Sequence, residues 1–528
     1  MKICGLHSGH DCSFAILEDG QLTIHHELER FSRIKLEISD AAAFLFDVYV
    51  EYDDIDYFTF VIMNWQGGIK KRYPESYKKL EKIVNNNILL TSVGHHQAHA
   101  AGAFFSSNYK KAIVITIDGG GDDRINGVGP GVLTSAFTVW YGKNNKLFPL
   151  EICHIDKFNI GGIWQKHTKN TFGLSIGCPL GSQEGTVMAM AAFGDENKYG
   201  FDKIQSSDFY RGEIDKNEEN KFHIAASIQR NTENQLREKI KPYMEKYTPE
   251  VVCISGGVAM NSVMMGKVYE WFPCIKKIYI PPAPYDAGLA VGSAQYLWHH
   301  VQDNPRIKWV DNYSPYTGYS YNKEIIEQTM LKKTTWFPGI FKEKPIKSSI
   351  VTEDYVIDLL NEQKIISVYG GKSESGRRAL GNRSILADPR QIEMKDKINE
   401  KVKHRQWFRP FAPSILREDV KDWFVRDIDS PYMSFVVKFK EDMKNKVPAV
   451  VHKDDTARLQ TVTENDNRWY YNFLKKWKEK TGIPILLNTS FNDREPIVET
   501  PEHAINCFLG TNIDYLYFYE YKILVERK

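Results

Sequence analysis

A chain of 528 residues and 60.9 kDa is larger than one hydrophobic core ordinarily serves, so two or three domains are expected. Hydrophobic residues at 42% and charged residues at 26% are the proportions of an ordinary globular protein, which excludes disordered, collagen-like and coiled-coil classes. Lys plus Arg at 69 against Asp plus Glu at 67 leave no global field to draw the chain onto nucleic acid or membrane, although local basic patches remain open.

The opening reads as strand Lys2 to Leu6, a polar turn from His7 to Asp11, strand Ser13 to Leu17, an Asp19-Gly20 turn and strand Leu22 to His26, a strong hairpin signal. MKICGLHSGHDCSF places His and Asp where a signal peptide needs an apolar core. No apolar run approaches the roughly 20 residues of a membrane helix. A related pattern returns near residue 112, where AIVITID runs into GGGDDRINGVGPG and is followed by SAFTVWYG, a KNNK turn and LFPLEI. Two such units, each offering a loop to the phosphates of one nucleotide, are what the actin and sugar-kinase architecture requires. VVCISGGVAMNS reads as strand, Gly-Gly turn and helix N-terminus, a place that favours a phosphate or ribose. PPAPYDAGLAVGSAQYLW has the same logic, with Asp286 just before a small-residue helix. Residues 304–321 read as a connector. A helix from Tyr355 to Gln363, the strand KIISVYG, the strand IPILLNTSF and the closing YLYFYEYKILVER form a second α/β pattern, with a boundary expected near residue 340. Cys4, Cys12, Cys153, Cys178, Cys253, Cys274 and Cys507 are odd in number, scattered and without a CxxC pair, which fits a reduced cytoplasmic protein.

The candidate chemistry lies in polar residues at element ends. His95 and His99 are one helical turn apart and can share a face. Asp118 is expected to end a strand and Asp286 to precede a helix, so both could enter one cleft. Two imidazoles and two carboxylates suit an iron, manganese or zinc ion. The same pattern also fits a solvated or helix-capping histidine cluster. His10, beside Asp11 in a tight turn, offers a general base near neutral pH, or a solvent-facing ring in a turn capped by Asp11. SGRRALGNRSILADPR, KVKHRQWFRPFAPS and DDTARLQT place arginines among Gly, Pro, Ala and Phe, where guanidinium forks can meet phosphate or carboxylate. The KKR run at 70–72 reads instead as a solvated face. Asn488, Thr489 and Ser490 put short hydrogen-bonding side chains at a strand end, where ordinary turn formation also uses them.

GLHSGHDCSFAILEDG, HHQAHA, IDGGGD, EGTVMAMAAFG, SGGVAMNS, GRRALGNRSILADPR, FRPFAPS, TARLQTV and LLNTSFNDREPIVETP resemble the nodulation/tobramycin family of O-carbamoyltransferases, from residue 1 to about 520. The resemblance implies an α/β chain with a duplicated actin-like (ASKHA) domain over 1–340 and a YrdC-like domain over 341–528. The C-terminal domain would make carbamoyl-adenylate from carbamoyl phosphate and ATP, with Mg as ATP's counter-ion. The N-terminal domain would pass the carbamoyl group to an acceptor hydroxyl and release AMP, by an internal route that shields a short-lived carbamate. It implies metal ligands His95, His99, Asp118 and Asp286, with Fe(II) the ion, and His10 as acceptor-side base. Gly119, Gly120, Glu184, Gly256, Gly257 and Asn261 would form the N-terminal nucleotide site. Arg378, Lys403, Arg409, Arg458, Asn488 and Ser490 would hold the carbamoyl and nucleotide phosphates. Arg377 replaces a usual proline, adding charge to its loop, and Thr186 follows Glu184-Gly185 where a lysine is common. The chain is rather short for the family, which implies trimmed loops around the acceptor.

The acceptor would be a sugar or other natural product, or a hydroxymethylated pyrimidine in DNA, for which IKKRYPESYKKLEK offers phosphate contacts and the Tyr and Trp content offers stacking. Threonylcarbamoyl-type or other carbamoyl transfer to a tRNA or protein is the alternative, and a non-catalytic nucleotide binder is disfavoured by the many intact polar motifs. No membrane partner is expected; a homodimer is compatible with the sequence.

Overall fold

In the computed structural model the first turn closes as its residues dictate. Asp19 at φ 47 and Gly20 at φ 83 both occupy the left-handed region that a two-residue hairpin needs. They join β2 (Ser13–Glu18) to β3 (Gln21–Glu27), and β1 (Lys2–His7) pairs antiparallel with β2. The structure describes residues 1–49, 54–61, 74–83, 91–124, 132–174, 183–199, 206–306, 314–331 and 346–528. The KKR run at 70–72, part of IKKRYPESYKKLEK, the end of the Gly-rich segment and Cys178 lie outside them. The other six cysteines are free thiols.

The described residues form two compact units, Met1–Tyr313 and Ser314–Lys528. In the first, β4 (Tyr57–Val61) and β5 (Thr91–Val93) continue parallel from β1, giving the order β3-β2-β1-β4-β5. A second sheet repeats this plan with β6 (Lys111–Arg124), β7 (Val132–Lys143), β8 (Lys146–His154), β9 (Val251–Ser255) and β10 (Lys277–Tyr279), ordered β8-β7-β6-β9-β10. Each sheet is a three-stranded antiparallel meander whose first strand is continued on its other side by two parallel strands. This is the duplicated actin-like plan.

Each sheet's last strand leads to a helix, His95–Ser106 after β5 and Gly288–Gln295 after β10. Both are buried throughout or nearly so, and they touch through glycine. A Cβ on Gly292 would lie 1.9 Å from the Ala98 carbonyl oxygen, and one on Gly5 would lie 1.9 Å from that of Ala290. Small residues let these backbones approach, so the small-residue composition of PYDAGLAVGSAQ reflects packing as well as the site it precedes.

The second unit is α/β, with a sheet ordered β11-β19-β18-β12-β13-β17-β14-β16-β15 among the described residues. Its strands are β11 (Ile346–Ile350), β12 (Ile366–Tyr369), β13 (Arg383–Ala387), β14 (Ala412–Leu416), β15 (Phe435–Lys438), β16 (Thr456–Val462), β17 (Ile485–Ser490), β18 (Tyr515–Phe518) and β19 (Ile523–Arg527). The helix Arg468–Thr481, capped by Asn467 and ended at Gly482 (φ 76), lays Tyr470, Phe473, Leu474 and Trp477 onto the core with Val368, Leu386 and Tyr517. This is the α/β body expected of the C-terminal domain.

The boundary falls earlier than the expected position near 340, which lies in residues outside the description. Residues 314–331, expected to include the end of a connector, belong to the second unit. The Tyr316 hydroxyl donates to the Leu380 carbonyl at 3.0 Å, the Ser375 amide to Pro315 at 2.7 Å and the Tyr319 amide to Glu499 at 3.3 Å. Hydrogen bonds therefore turn a Pro/Tyr-rich segment into part of a folded body. No helix among the described residues is long and apolar enough to cross a membrane.

Candidate active site

The sequence predicts Asp118 at a strand end, but β6 continues to Arg124. Its pairing with β7 shifts register between Ile117 and Gly121, so Asp118, Gly119 and Gly120 form a bulge in a long strand. A bulge turns a side chain away from the pleat, which is how Asp118 reaches the site without ending the strand. Glycine is needed here because a Cβ on Gly121 would lie 2.1 Å from the His95 ring.

The bulge faces the helix that carries His95 and His99 on one side, as their spacing predicts. One ligand atom from each of His95, His99, Asp118 and Asp286 lies within 4.8 Å of the others. His99 Nε2 is 3.2 Å from Asp118 Oδ2 and 3.4 Å from Asp286 Oδ1; His95 Nε2 is 3.8 Å from both. Among the described residues neither Nε2 has a well-formed hydrogen bond, although both are buried. Donors that converge without bonding one another, two of them carboxylates, fit a divalent cation. Burial pushes the His99 imidazole down, but the Asp118 and Asp286 carboxylates more than offset it and raise it to about 9. Burial alone would raise Asp118, yet His95 and His99 hold it well below the usual carboxylate range. The excess negative charge that holds a proton on His99 is the charge a cation would satisfy.

Asp286 also faces the first turn. Its Oδ2 lies 3.3 Å from His10 Nε2 and 4.0 Å from His7 Nε2. The His10 side chain is 40% exposed and its Nδ1 pairs with Asp11 at 3.1 Å, so Asp11 orients the ring, while the other nitrogen faces the site and not only solvent. Burial opposes its charge, but Asp286 and Asp11 raise it to about 9. His7 is buried and driven down to about 4, and a ring nitrogen lies 3.0 Å from the His10 carbonyl oxygen.

Of the backbone donors expected to meet a nucleotide, three are occupied within the chain. Gly119 and Gly257 amides donate to Asp118 at 2.5 and 2.9 Å, and the Gly256 amide donates to Pro284 at 2.7 Å. Gly256, at φ 95, has the Ile117 carbonyl 2.2 Å from where a Cβ would be. These glycines thus tie β9 to the bulge and hold the carboxylate. Gly120, at φ 150, is hemmed in by Ile155. Asn261 caps the helix Ser262–Trp271 through the Met264 amide and clasps Gln229. Gln229 in turn donates to buried Glu233, which also takes the Lys267 ammonium at 2.7 Å. Glu184 opens the helix Glu184–Ala191, and the Thr186 hydroxyl is buried without a hydrogen-bond partner among the described residues.

In the second unit Arg458 is half-buried and feels three other guanidinium charges. Burial and then Arg378, Arg405 and Arg409 push its guanidinium well below the usual arginine value, so these side chains share a neighbourhood. Arg405 donates to Asn399 at 2.7 Å and lies over Phe411, while Asn399 also grips the carbonyls of Trp407 and Arg409. Asn488 reaches this region through the Ala379 carbonyl and Gln460, and its own buried oxygen lacks a partner among the described residues. Lys403 differs from the expectation: its ammonium meets the Ser490 and Asn492 carbonyls and the Asn492 side chain. In this conformation it fixes the Ser490 loop. The Arg377–Arg383 loop, where proline is replaced, is held by the buried Glu374 carboxylate, which accepts from the Leu380, Asn382 and Arg383 amides.

Residues 202–295 match the family Carbamoyltransferase N-terminus and residues 357–525 the family Carbamoyltransferase C-terminus. The nodulation protein NolO of Bradyrhizobium diazoefficiens is 32% identical over 453 residues, covering 80% of this chain and 77% of its own. The chain belongs to the carbamoyltransferase family. A second relative, the uncharacterized protein MJ1058 of Methanocaldococcus jannaschii, is 34% identical over 85% of this chain and 76% of its own. Among solved structures, T. kodakarensis HypF is 13% identical with a TM-score of 0.37, covering 56% of this chain and 48% of that one; the duplicated fold rests on the strand order instead. As a carbamoyltransferase, the chain has two polar centres that its motifs located. Arg405 and Asp123 are missed by motif reading, although each stands in a quoted segment. Arg405 shares its loop with Arg409 at a spacing of four, and Asp123 is the second aspartate of GGGDD.

Proposed function

We propose that this carbamoyltransferase is ATP-dependent and uses two sites. The observation that carries the reading is the group of four half-buried arginines in the unit that matches the C-terminal family, because positive charge gathered in one neighbourhood suits a polyanion. There, water would cleave carbamoyl phosphate to carbamate and inorganic phosphate. A carbamate oxygen would then attack the α-phosphorus of ATP, displacing pyrophosphate and leaving carbamoyl-adenylate. Arg378, Arg405, Arg409 and Arg458 would hold the phosphates while Asn488 offers its unpartnered oxygen to the carbamoyl amide.

In the first unit an acceptor hydroxyl would attack the carbamoyl carbon, with AMP leaving and the hydroxyl proton passing to His10 Nε2, which is free to accept it once a cation at Asp286 offsets the charge that raises the ring to about 9. Glu184, Asn261 and the glycine turns would border the adenylate. His95, His99, Asp118 and Asp286 would hold a divalent ion, Fe(II) being our choice. Such an ion would supply Lewis-acid polarisation of the carbonyl and charge neutralisation on the leaving phosphate. The acceptor would be a sugar or other small natural-product hydroxyl, or a hydroxymethylated pyrimidine in DNA; the near balance of 69 basic and 67 acidic residues argues against a global pull onto DNA and leaves a local basic patch open.

The test is pyrophosphate release from ATP plus carbamoyl phosphate, followed by AMP release on adding acceptors. Absence of both products under every acceptor condition would remove the reading. Candidate hydroxyl compounds and hydroxymethylated DNA, screened by mass for a carbamoyl gain, identify the acceptor. A steep loss of acceptor binding with salt would indicate DNA, and a flat response a small molecule.

A further inference from the structure

The helix His95–Ser106 begins at Gly94, a residue with no side chain to cap it. An uncapped first turn leaves amide donors unsatisfied and free to fray, and His95 is its first residue. The missing acceptor comes from the neighbouring strand. Asp123 Oδ1 accepts from the His96 amide at 2.8 Å and the Gln97 amide at 3.3 Å. Its Oδ2 pairs with His96 Nδ1 at 2.7 Å and accepts from the Ser135 hydroxyl of β7 at 2.5 Å. Asp123 is 1% exposed. Gly94 is glycine for the same reason, since a Cβ there would meet Asp123 Oδ1 at 2.7 Å.

One stretch of β6 therefore carries three functions: Asp118 at the cluster, Gly121 as the floor under the His95 ring, and Asp123 as the cap of the helix that bears that ring. We infer that Asp123 is a positioning residue for the metal centre, locking the first turn of the helix so that His95 is registered against Asp118. The inference rests on the proposal that His95, His99, Asp118 and Asp286 bind a metal. Because His99 lies a full turn further along a well-buried helix, Asp123 acts on the cluster chiefly through His95.

The experiment measures Co(II) affinity of the full chain by competition with a chromophoric chelator, together with the visible absorption of the Co(II) form. Asp123→Ala is expected to weaken affinity about 10- to 100-fold, as loss of an outer partner does at metal sites. Its Co(II) spectrum should shift toward that of His95→Ala, and adding Asp123→Ala to His95→Ala should weaken affinity by less than about twofold further. A general loss of folding would instead weaken binding equally in both backgrounds, which would overturn the inference. Gly94→Ala keeps the carboxylate and suits the local backbone (φ −61, ψ 149), yet displaces Asp123 Oδ1. It should reproduce the Asp123→Ala loss, and it decides the matter should that variant not fold. Wild-type chain that retains no Co(II) removes the metal reading and this inference with it. Wild-type retention matched by both variants removes the inference alone.

Discussion

At the scale of single residues, the two centres separate by what their loss should stop. His95→Ala or Asp118→Ala is expected to abolish carbamoyl transfer to the acceptor while pyrophosphate release from ATP continues. Arg378→Ala or Arg458→Ala should stop pyrophosphate release itself. Loss of pyrophosphate release in the metal-site variants to the same degree would contradict the division of labour. Gly121→Ala carries the same argument to a residue without functional groups. Its Cβ would lie 2.1 Å from the His95 ring, so metal affinity should fall at least about tenfold with little change in the second unit. The convergence of His95, His99 and Asp286 was legible because His95 and His99 obey helical periodicity and Asp286 precedes a helix of small residues. The roles of Gly119, Gly256 and Gly257 were not, because a glycine that approaches phosphate and a glycine that approaches Asp118 look alike in a sequence.

Among the elements, the helix His95–Ser106 is held at both ends by residues distant in the chain. Arg306 meets its C-terminal end, donating to the carbonyls of Phe104 at 2.9 Å, Phe105 at 3.4 Å and Ser107, and to Tyr109 and Asn144 at 3.2 Å. The guanidinium also lies over the Phe104 ring at 4.7 Å. A cation there complements the negative end of the helix dipole, as Asp123 complements the positive end. Arg306→Met should destabilise the first unit by about 2–4 kcal/mol, since carbonyls buried without donors cost about 1–3 kcal/mol each before relaxation. Urea unfolding followed by a probe in that unit reads the change, and a midpoint equal to wild type would refute the clamp. The hairpins of β1 to β3 and β6 to β8 were readable from turn residues and alternation. The continuation of β6 beyond Asp118 was not, because three glycines ordinarily signal a loop and it takes the facing β7 to pair the chain again at Gly121.

For the molecule as a whole, the division at Tyr313/Ser314 makes a direct prediction. Residues 314–528 expressed alone should unfold cooperatively, release pyrophosphate from ATP and carbamoyl phosphate, and carry no acceptor activity. A version beginning at 341 loses the Tyr316, Pro315 and Tyr319 contacts and should be less stable by about 2–4 kcal/mol, given three hydrogen bonds lost at about 0.5–1.5 kcal/mol each. Equal stability of the two would place the boundary near 340 after all. Adding a chelator to the full chain should suppress transfer and leave pyrophosphate release by the second unit intact.

Local chemistry written along the chain determined the α/β class, the doubled hairpin plan, the family and many, though not all, of the residues that meet at each centre, because periodicity, turn chemistry and motif spacing are properties of neighbours in sequence. Tertiary structure alone decided where Asp118 sits on its strand, that the Gly257 amide just after β9 holds it, that Asp123 and Arg306 brace the histidine helix, and that Lys403 faces Ser490 and Asn492. Each of these joins residues far apart in the chain, and such a contact is set by how closely two backbones pack, which depends on the shape of both partners at once.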